Sequence, residues 1–374
     1  MRIGIVTLPL HNNYGGILQA YALQKVLQDM GHEATVIDRP RLKKLNPISK
    51  IWVYGGRIFR KHVLGKQLVI KKEKEHNDVV NALHINTYPF ILKHIRRFEA
   101  NIRYSNIKKR DYDAFVVGSD QVWRPAYFKR NIISQAYLAF AEGWDVKRIS
   151  YAASFGGDNW EYTPVQTAEC GRLLKLFNAV SVREDSAMGL CKSHFGVKAQ
   201  HVLDPTMLLE AKDYSSLFKM EETPKSDGTL MCYILDSNDE KERIVSHIEK
   251  RFNLVAFSIN SKYEIKDAPI EERIQPPVES WLRGFHDAEF VITDSFHACV
   301  FSILFEKPFI VYGNKGRGMA RFESLLKIFS LESRLVTDHK EAEKAIDSPI
   351  DWNKVNTIKK EWQKESLDFL KNNL

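Results

Sequence analysis

The chain has 374 residues, enough for two domains of ordinary size, and its 44% hydrophobic and 27% charged content excludes a disordered or fibrous protein. Fifty-five basic against 47 acidic side chains leave a formal net charge of +8. That balance raises nucleic acid, an anionic membrane surface or an anionic substrate as partners without choosing among them.

From the N-terminus, Ile3 to Leu8 is a short β-rich run, followed by a polar loop and then Leu18, Tyr21, Ala22, Val26, Leu27 and Met30 at helical spacing. Gly31 stops that helix and Ala34 to Asp38 starts the next strand, a βαβ opening that predicts a parallel sheet. Further apolar runs follow at Ala114–Val117, Ile149–Ala153, Ala179–Val182 and Val202–Leu203. A polar stretch, Glu221 to Gly228, reads as the junction to a second α/β run. There Leu230–Leu235 and Leu254–Ser258 are predicted strands around a helix near Asp239–Arg251. Trp281 to Glu289 closes another helix, Phe290–Ile292 is a strand, Ala298–Phe305 a helix and Phe309–Val311 a strand, with a final amphipathic helix from about Trp352 to Leu370. The expected domains are therefore 1–220 and 221–374, the last helix being a candidate to pack back on the first domain.

The first eight residues hold too short an apolar run for a signal-peptide core. The longest apolar run, Ala298 to Phe305, is far below the roughly 20 residues that span a bilayer, so a cytoplasmic protein is expected. Cys170, Cys191, Cys232 and Cys299 form no C-x-x-C pair and have no clustered histidines beside them; they read as reduced thiols, and no metal site is expected.

Ligands of open parallel sheets bind beyond the carboxyl ends of the strands. Here those ends are Asn12 to Gly16, Gly118 to Gln121, Ser154 to Gly157, Arg183 to Asp185 and Asp204 to Thr206. Each also has a plain reading as turn chemistry or helix capping. No P-loop is present and no G-x-G-x-x-G follows the first strand; Gly15-Gly16 allows only a close backbone approach at a helix N-terminus. His297 stands at the junction of a buried strand and an apolar helix, after Thr293, Asp294 and Ser295, where it could exchange protons near neutral pH or simply fill a first-turn position. Arg183, just past a strand end, and Arg317 and Arg321, in a Gly-punctuated basic loop, are candidate partners for a phosphate or carboxylate.

Six blocks in order, Asn12-Asn13-Tyr14-Gly15-Gly16-Ile17-Leu18-Gln19-Ala20, Val117-Gly118-Ser119-Asp120-Gln121-Val122-Trp123, Tyr151-Ala152-Ala153-Ser154-Phe155-Gly156, Ser181-Val182-Arg183-Glu184, Val202-Leu203-Asp204-Pro205-Thr206 and Thr293-Asp294-Ser295-Phe296-His297-Ala298, resemble the polysaccharide pyruvyl transferase family. The resemblance runs from about Ile3 to Leu326. It implies two Rossmann-like domains facing across a GT-B-like cleft, and transfer of the enolpyruvyl group of phosphoenolpyruvate to a sugar. It further implies His297 as the acid/base residue and Arg183 in donor binding. Many members carry Arg two positions before that histidine, where this chain has Ser295, so a donor-binding cation must come from elsewhere, Arg317 or Arg321 being the candidates. On the acceptor side the expected residues are Asn13, Tyr14, Asp120 and Gln121. The expected partners are phosphoenolpyruvate and a saccharide, free or lipid-linked, with no cofactor and no nucleic acid.

Two other readings stand beside this one: a GT-B glycosyltransferase using a nucleotide sugar, and a non-catalytic module binding a polyanion or membrane surface. The charge is concentrated. Residues 39–75 hold twelve basic and two acidic side chains, so this segment carries +10 and the rest of the chain −2. Interleaved with Ile51, Trp52, Val53, Tyr54, Ile58 and Phe59, it reads either as an insertion contacting the inner face of an anionic membrane or as an ordinary solvated insertion.

Overall fold

The computed structural model describes residues 1–39, 42, 47–65, 70–128, 132–220, 222–263, 265–313 and 318–374. The first half runs β1 (Arg2–Val6), α1 (Tyr14–Asp29), β2 (Glu33–Asp38), α2 (Pro47–His62), α3 (Lys72–Leu83), α4 (Tyr88–His94), β3 (Arg97–Glu99), β4 (Ala114–Val117), β5 (Lys147–Ala153), α5 (Pro164–Leu174), β6 (Ala179–Val182), α6 (Asp185–Leu190), β7 (Gln200–His201) and α7 (Ala211–Ser215). The second half runs β8 (Leu230–Tyr233), α8 (Asp239–Phe252), β9 (Ala256–Phe257), α9 (Ile270–Arg273), α10 (Val278–Asp287), β10 (Phe290–Thr293), α11 (Phe296–Leu304), β11 (Phe309–Tyr312), α12 (Met319–Phe329), β12 (Leu335–Val336), α13 (His339–Ile346) and α14 (Trp352–Asn373).

Both sheets are parallel, ordered β3-β2-β1-β4-β5-β6-β7 and β12-β11-β10-β8-β9. Central parallel strands are covered on both faces, which is why β4 and β10 read as unbroken apolar runs and are buried at every position. Each sheet is a doubly wound Rossmann-like layer. Strand order reverses between β1 and β4 in the first and between β8 and β10 in the second, so a crevice opens at each point beyond the strand ends. These two crevices face each other in the GT-B arrangement.

The halves are joined by apolar packing. Tyr14 of α1 stacks on Trp281 of α10 at 5.3 Å, and Tyr214 of α7 meets Phe301 of α11 edge-on at 4.8 Å, within one buried cluster that contains residues of both sheets. Helix α14 lies against the first half. Its buried Ser366 accepts a hydrogen bond from the Leu203 amide (3.0 Å), Gln363 donates to the Met207 carbonyl (2.8 Å) and Lys359 pairs with Glu210 (2.9 Å).

One sequence expectation changes here. Tyr14-Gly15-Gly16 is the first turn of α1 and not loop, with Asn13 as N-cap accepting from the Gly16 amide (3.2 Å). The reason lies across the cleft: a Cβ on Gly15 would sit 2.0 Å from His297 Nδ1, so glycine is placed inside a helix to admit the histidine of the other half.

Candidate active site

A cleft of about 1090 Å³ lies between the two switch points. Its first-half wall is built from Asn12 and Asn13 after β1 and Asp120, Gln121, Arg124 and Tyr127 after β4; its second-half wall includes Tyr233 to Leu235 after β8 and Asp294 to His297 after β10. The β10 turn is held from below. Asp294 is buried, accepts from the amides of Leu235 (2.7 Å) and Asp236 (3.1 Å), and pairs with buried Lys241 at 2.6 Å. Asp294 therefore fixes the β8 and β10 loops to one another, leaving Ser295 as the N-cap of α11 with no side-chain capping bond.

His297 is 6% exposed, and its Nε2 lies 3.7 Å from Asp204 Oδ2 of the first half, an ion-pair distance longer than a hydrogen bond. Among the described residues Nε2 has no hydrogen-bond partner. Asp204 is itself heavily bound. Oδ2 accepts from Arg183 Nη1 and Ser119 Oγ, both at 2.9 Å, and Oδ1 from the Thr206 amide (3.0 Å) and hydroxyl (2.7 Å). Burial alone would push this carboxyl up, but His297, Arg183 and the Thr206 N–H together hold it well below the usual carboxylate range. The site thus contains a carboxylate held ionised at neutral pH and aimed at an imidazole from the other half.

Arg183 departs from expectation. It does not line the cleft: its side chain is 2% exposed, 2.9 Å from Asp204, 3.6 Å from Asp120 and 4.0 Å from Glu184, with its guanidinium 4.3 Å from the Phe296 ring centroid. Nη1 holds Asp204 in place, while Nε and Nη2 have no hydrogen-bond partner among the described residues, so Arg183 neutralises and positions Asp204 from behind the cleft wall. Tyr14 departs too. It is 1% exposed and its hydroxyl donates to the Pro276 carbonyl at 2.7 Å, so it ties the halves together behind the cleft wall.

The cleft does bring together His297, Ser295, Arg321, Asn13, Asp120 and Gln121. Arg321, from α12, is 8% exposed and lies near Phe296, 5.8 Å from the ring centroid. Burial and the nearby Arg183 charge lower its pKa to about 10, so this cation is held where an arriving anion would favour it. Arg317 lies outside the described residues. Asp120 adopts a left-handed backbone (φ 62°), a strain of the kind found at ligand sites, which sets its carboxylate between the cleft and Arg183.

The sequence reading passed over Arg124, Tyr127, Lys262 and Phe296, all on the cleft wall. Arg124 sits between Glu161 (3.1 Å) and the Gln121 side-chain oxygen Oε1 (3.1 Å), and Lys262 pairs with Glu272 (2.6 Å). Asp204 stood inside a quoted block, but nothing in that block tells that it faces a histidine 93 positions later. Among the described residues, the grouping with metal-like spacing is His247, His339 and Glu343, on α8 and α13 and away from the cleft lining.

The model of the family described as polysaccharide pyruvyl transferase matches residues 13–316, a span holding the six motif blocks apart from Asn12, and the cleft lining apart from Asn12, Arg321 and Phe322. The chain belongs to the polysaccharide pyruvyl transferase family. As a member it is a transferase, and His297, Asp204 and Gly15 fall within the matched span. Solved structures of similar course include MurG of Acinetobacter baumannii (10% identity, TM-score 0.47, 99% of each chain covered). Others are the UDP-GlcNAc 2-epimerase of Methanocaldococcus jannaschii in complex with UDP-GlcNAc and UDP (12%, 0.48, 100% of each) and Arabidopsis thaliana UGT89C1 complexed with UDP (12%, 0.47, 98% of each). The comparison with curated proteins found no match.

The buried cluster makes a pH prediction for this transferase. Asp204 has its folded pKa depressed below the unfolded value of about 3.9. Its stabilising contribution is therefore complete above that value and is lost as pH falls through the folded pKa. Asp204→Asn removes the carboxylate hydrogen-bonded to Arg183 and is expected to cost about 3–5 kcal/mol near pH 7, a deficit that narrows at strongly acidic pH. Urea melts of both proteins across pH check this, and a pH-independent deficit would contradict it.

Proposed function

We propose that this transferase moves the enolpyruvyl group of phosphoenolpyruvate onto two hydroxyls of a saccharide, forming a pyruvate ketal and releasing phosphate. The observation that carries the reading is the juxtaposition, at one cleft, of His297 backed by ionised Asp204 with the buried cation Arg321. Ketal formation needs a proton on the methylene carbon, which leaves an oxocarbenium-like C2. One sugar hydroxyl adds there and gives up its proton, the C2–O bond to phosphate breaks with its electron pair staying on the phosphate oxygen, and the second hydroxyl adds to the carbon so exposed, its proton passing to the released phosphate. His297 supplies the first proton and takes one back from a hydroxyl. Asp204 stabilises the imidazolium form between these events.

Arg321, with Ser295 and the first turn of α11, faces the donor's anionic groups. Asn13, Asp120 and Gln121 offer hydrogen bonds to the acceptor, with Arg124 and Tyr127 beside them. Ser295 in place of the arginine common in the family fits this division, because Arg321 reaches the same Phe296 ring from α12. No metal or cofactor enters the scheme.

The test is incubation with phosphoenolpyruvate and a panel of saccharides, lipid-linked ones included, reading released phosphate and an acceptor mass gain equal to pyruvate less water. Label arriving only from a nucleotide sugar would replace this reading with glycosyl transfer. A second expectation concerns Arg321→Met. Losing one charge-assisted contact of about 1.5–3 kcal/mol should raise the donor KM roughly 10- to 100-fold, with the melting temperature unchanged or higher because a disfavoured buried charge is gone. A lowered melting temperature with unaltered KM would make Arg321 a structural residue only.

A further inference from the structure

Helix α2 is amphipathic in the inverse of the usual sense. At about 100° per residue, Ile48, Ile51, Trp52, Ile58 and Phe59 share one face, and that face looks to solvent: Ile48 is 70%, Ile51 73%, Trp52 78% and Phe59 56% exposed. The opposite face is turned to the protein. There Val53 and Tyr54 are half-buried, and Arg57 donates to Glu73 of α3 (2.8 Å) and to the Ile70 carbonyl (3.0 Å). Val63 and Leu64 extend the exposed apolar stripe past the helix end. Outside this stripe, on α2 and at the start of α3, stand Lys50, Arg60, Lys61, Lys71, Lys72 and Lys74, all exposed. An outward apolar stripe of this size is a contact surface.

We infer that the outer face of α2 docks the protein on an anionic lipid bilayer, its apolar stripe entering the headgroup layer and the surrounding lysines and arginines meeting acidic headgroups. Charge decides the occupant. A second copy packed symmetrically on this face would bring one +10 segment against another, whereas an acidic headgroup layer neutralises it. The face is also coupled to the cleft. From α3, which Arg57 ties to α2, the Leu83 carbonyl accepts from Asn12 of the cleft wall (2.8 Å), and Asn86 donates to the Gln275 carbonyl of the second half (3.0 Å). Docking through α2 therefore holds the cleft close to the lipid surface, whatever group the cleft transfers.

The experiment is co-sedimentation of the full chain with vesicles of phosphatidylcholine alone or of equimolar phosphatidylcholine and phosphatidylglycerol. The expected result is at least about tenfold tighter binding to the anionic vesicles, weakening as salt is raised to about 0.5 M. A combined Ile51→Glu, Trp52→Glu, Phe59→Glu variant and a combined Lys50→Glu, Arg60→Glu, Lys61→Glu variant should each lose about tenfold or more. Trp52→Phe, which keeps the apolar face, gives the second readout. Wild-type fluorescence should shift to the blue on anionic vesicles, and that shift should shrink in the variant. Vesicle binding unchanged in the apolar variant, or absence of the Trp52-dependent shift, would overturn the inference. So would a wild-type dimer that the apolar variant turns into monomer with no vesicle binding in either.

Discussion

His297→Gln is expected to lower kcat by about 10²–10⁴-fold, the range for loss of a positioned acid/base group, while the donor KM stays close to the wild-type value. The separation follows from the cleft's layout. His297 meets Asp204 through Nε2, whereas Arg321 stands 5.8 Å from the Phe296 ring centroid, so the cation proposed to face the donor's anionic groups is untouched. Glutamine keeps a polar amide near Asp204, so Arg183 retains its carboxylate partner and the fold should survive. Single-turnover kinetics with a melting curve on the same sample check both parts. Turnover within threefold of wild type would remove His297 from the chemistry.

Gly15→Ala should be nearly as damaging although residue 15 carries no functional group. A methyl there would lie 2.0 Å from His297 Nδ1 and 2.2 Å from Cγ, closer than any real packing, so the imidazole must leave its place beside Asp204. A displacement of about 1 Å can cost roughly 100-fold in rate, and a loss of at least that size in kcat is expected. Alanine favours a helix over glycine by about 1 kcal/mol, which partly offsets the interface strain, so the melting temperature should fall little. Gly16→Ala is the control: its nearest neighbour would be Asn13 Cγ at an ordinary 3.5 Å, and activity should remain within a few-fold of wild type. Equal effects at the two positions would mean that general loosening of α1, and not the His297 contact, is responsible.

What could be read in the sequence, and what could not, follows from where the information sits. The β1-α1-β2 opening and the β10-α11-β11 unit were legible because apolar period, glycine stops and polar strand ends all lie within a few tens of residues. The edge strands β3 and β12, three and two residues long, are too short to show a period, and the run expected at Val202–Leu203 lies just past the two-residue β7 (Gln200–His201). His297 could be singled out from its place after Thr293-Asp294-Ser295. Its partner could not, since Asp204 is brought to it only by closure of one half on the other.

Arg183 shows the same limit from the opposite side. A strand-end arginine looks like a ligand for an anion until Asp120, Glu184 and Asp204 are found around it, and two of these come from other segments. Tyr14 belongs to a strand-end segment expected to meet the acceptor, whereas Gly15 beside it marks the close approach of the second half. The basic segment was visible as charge, but that its apolar side chains face outward required the structure.

The most direct test of the account is one assay run on two proteins: phosphate release and acceptor mass gain from phosphoenolpyruvate with a saccharide that the wild type accepts, alongside donor binding by each protein. The account predicts stoichiometric phosphate and ketal from the wild type, and comparable donor binding but at least about 100-fold slower turnover from His297→Gln. Turnover by His297→Gln at the wild-type rate, or an acceptor that gains mass without phosphate release, would contradict it.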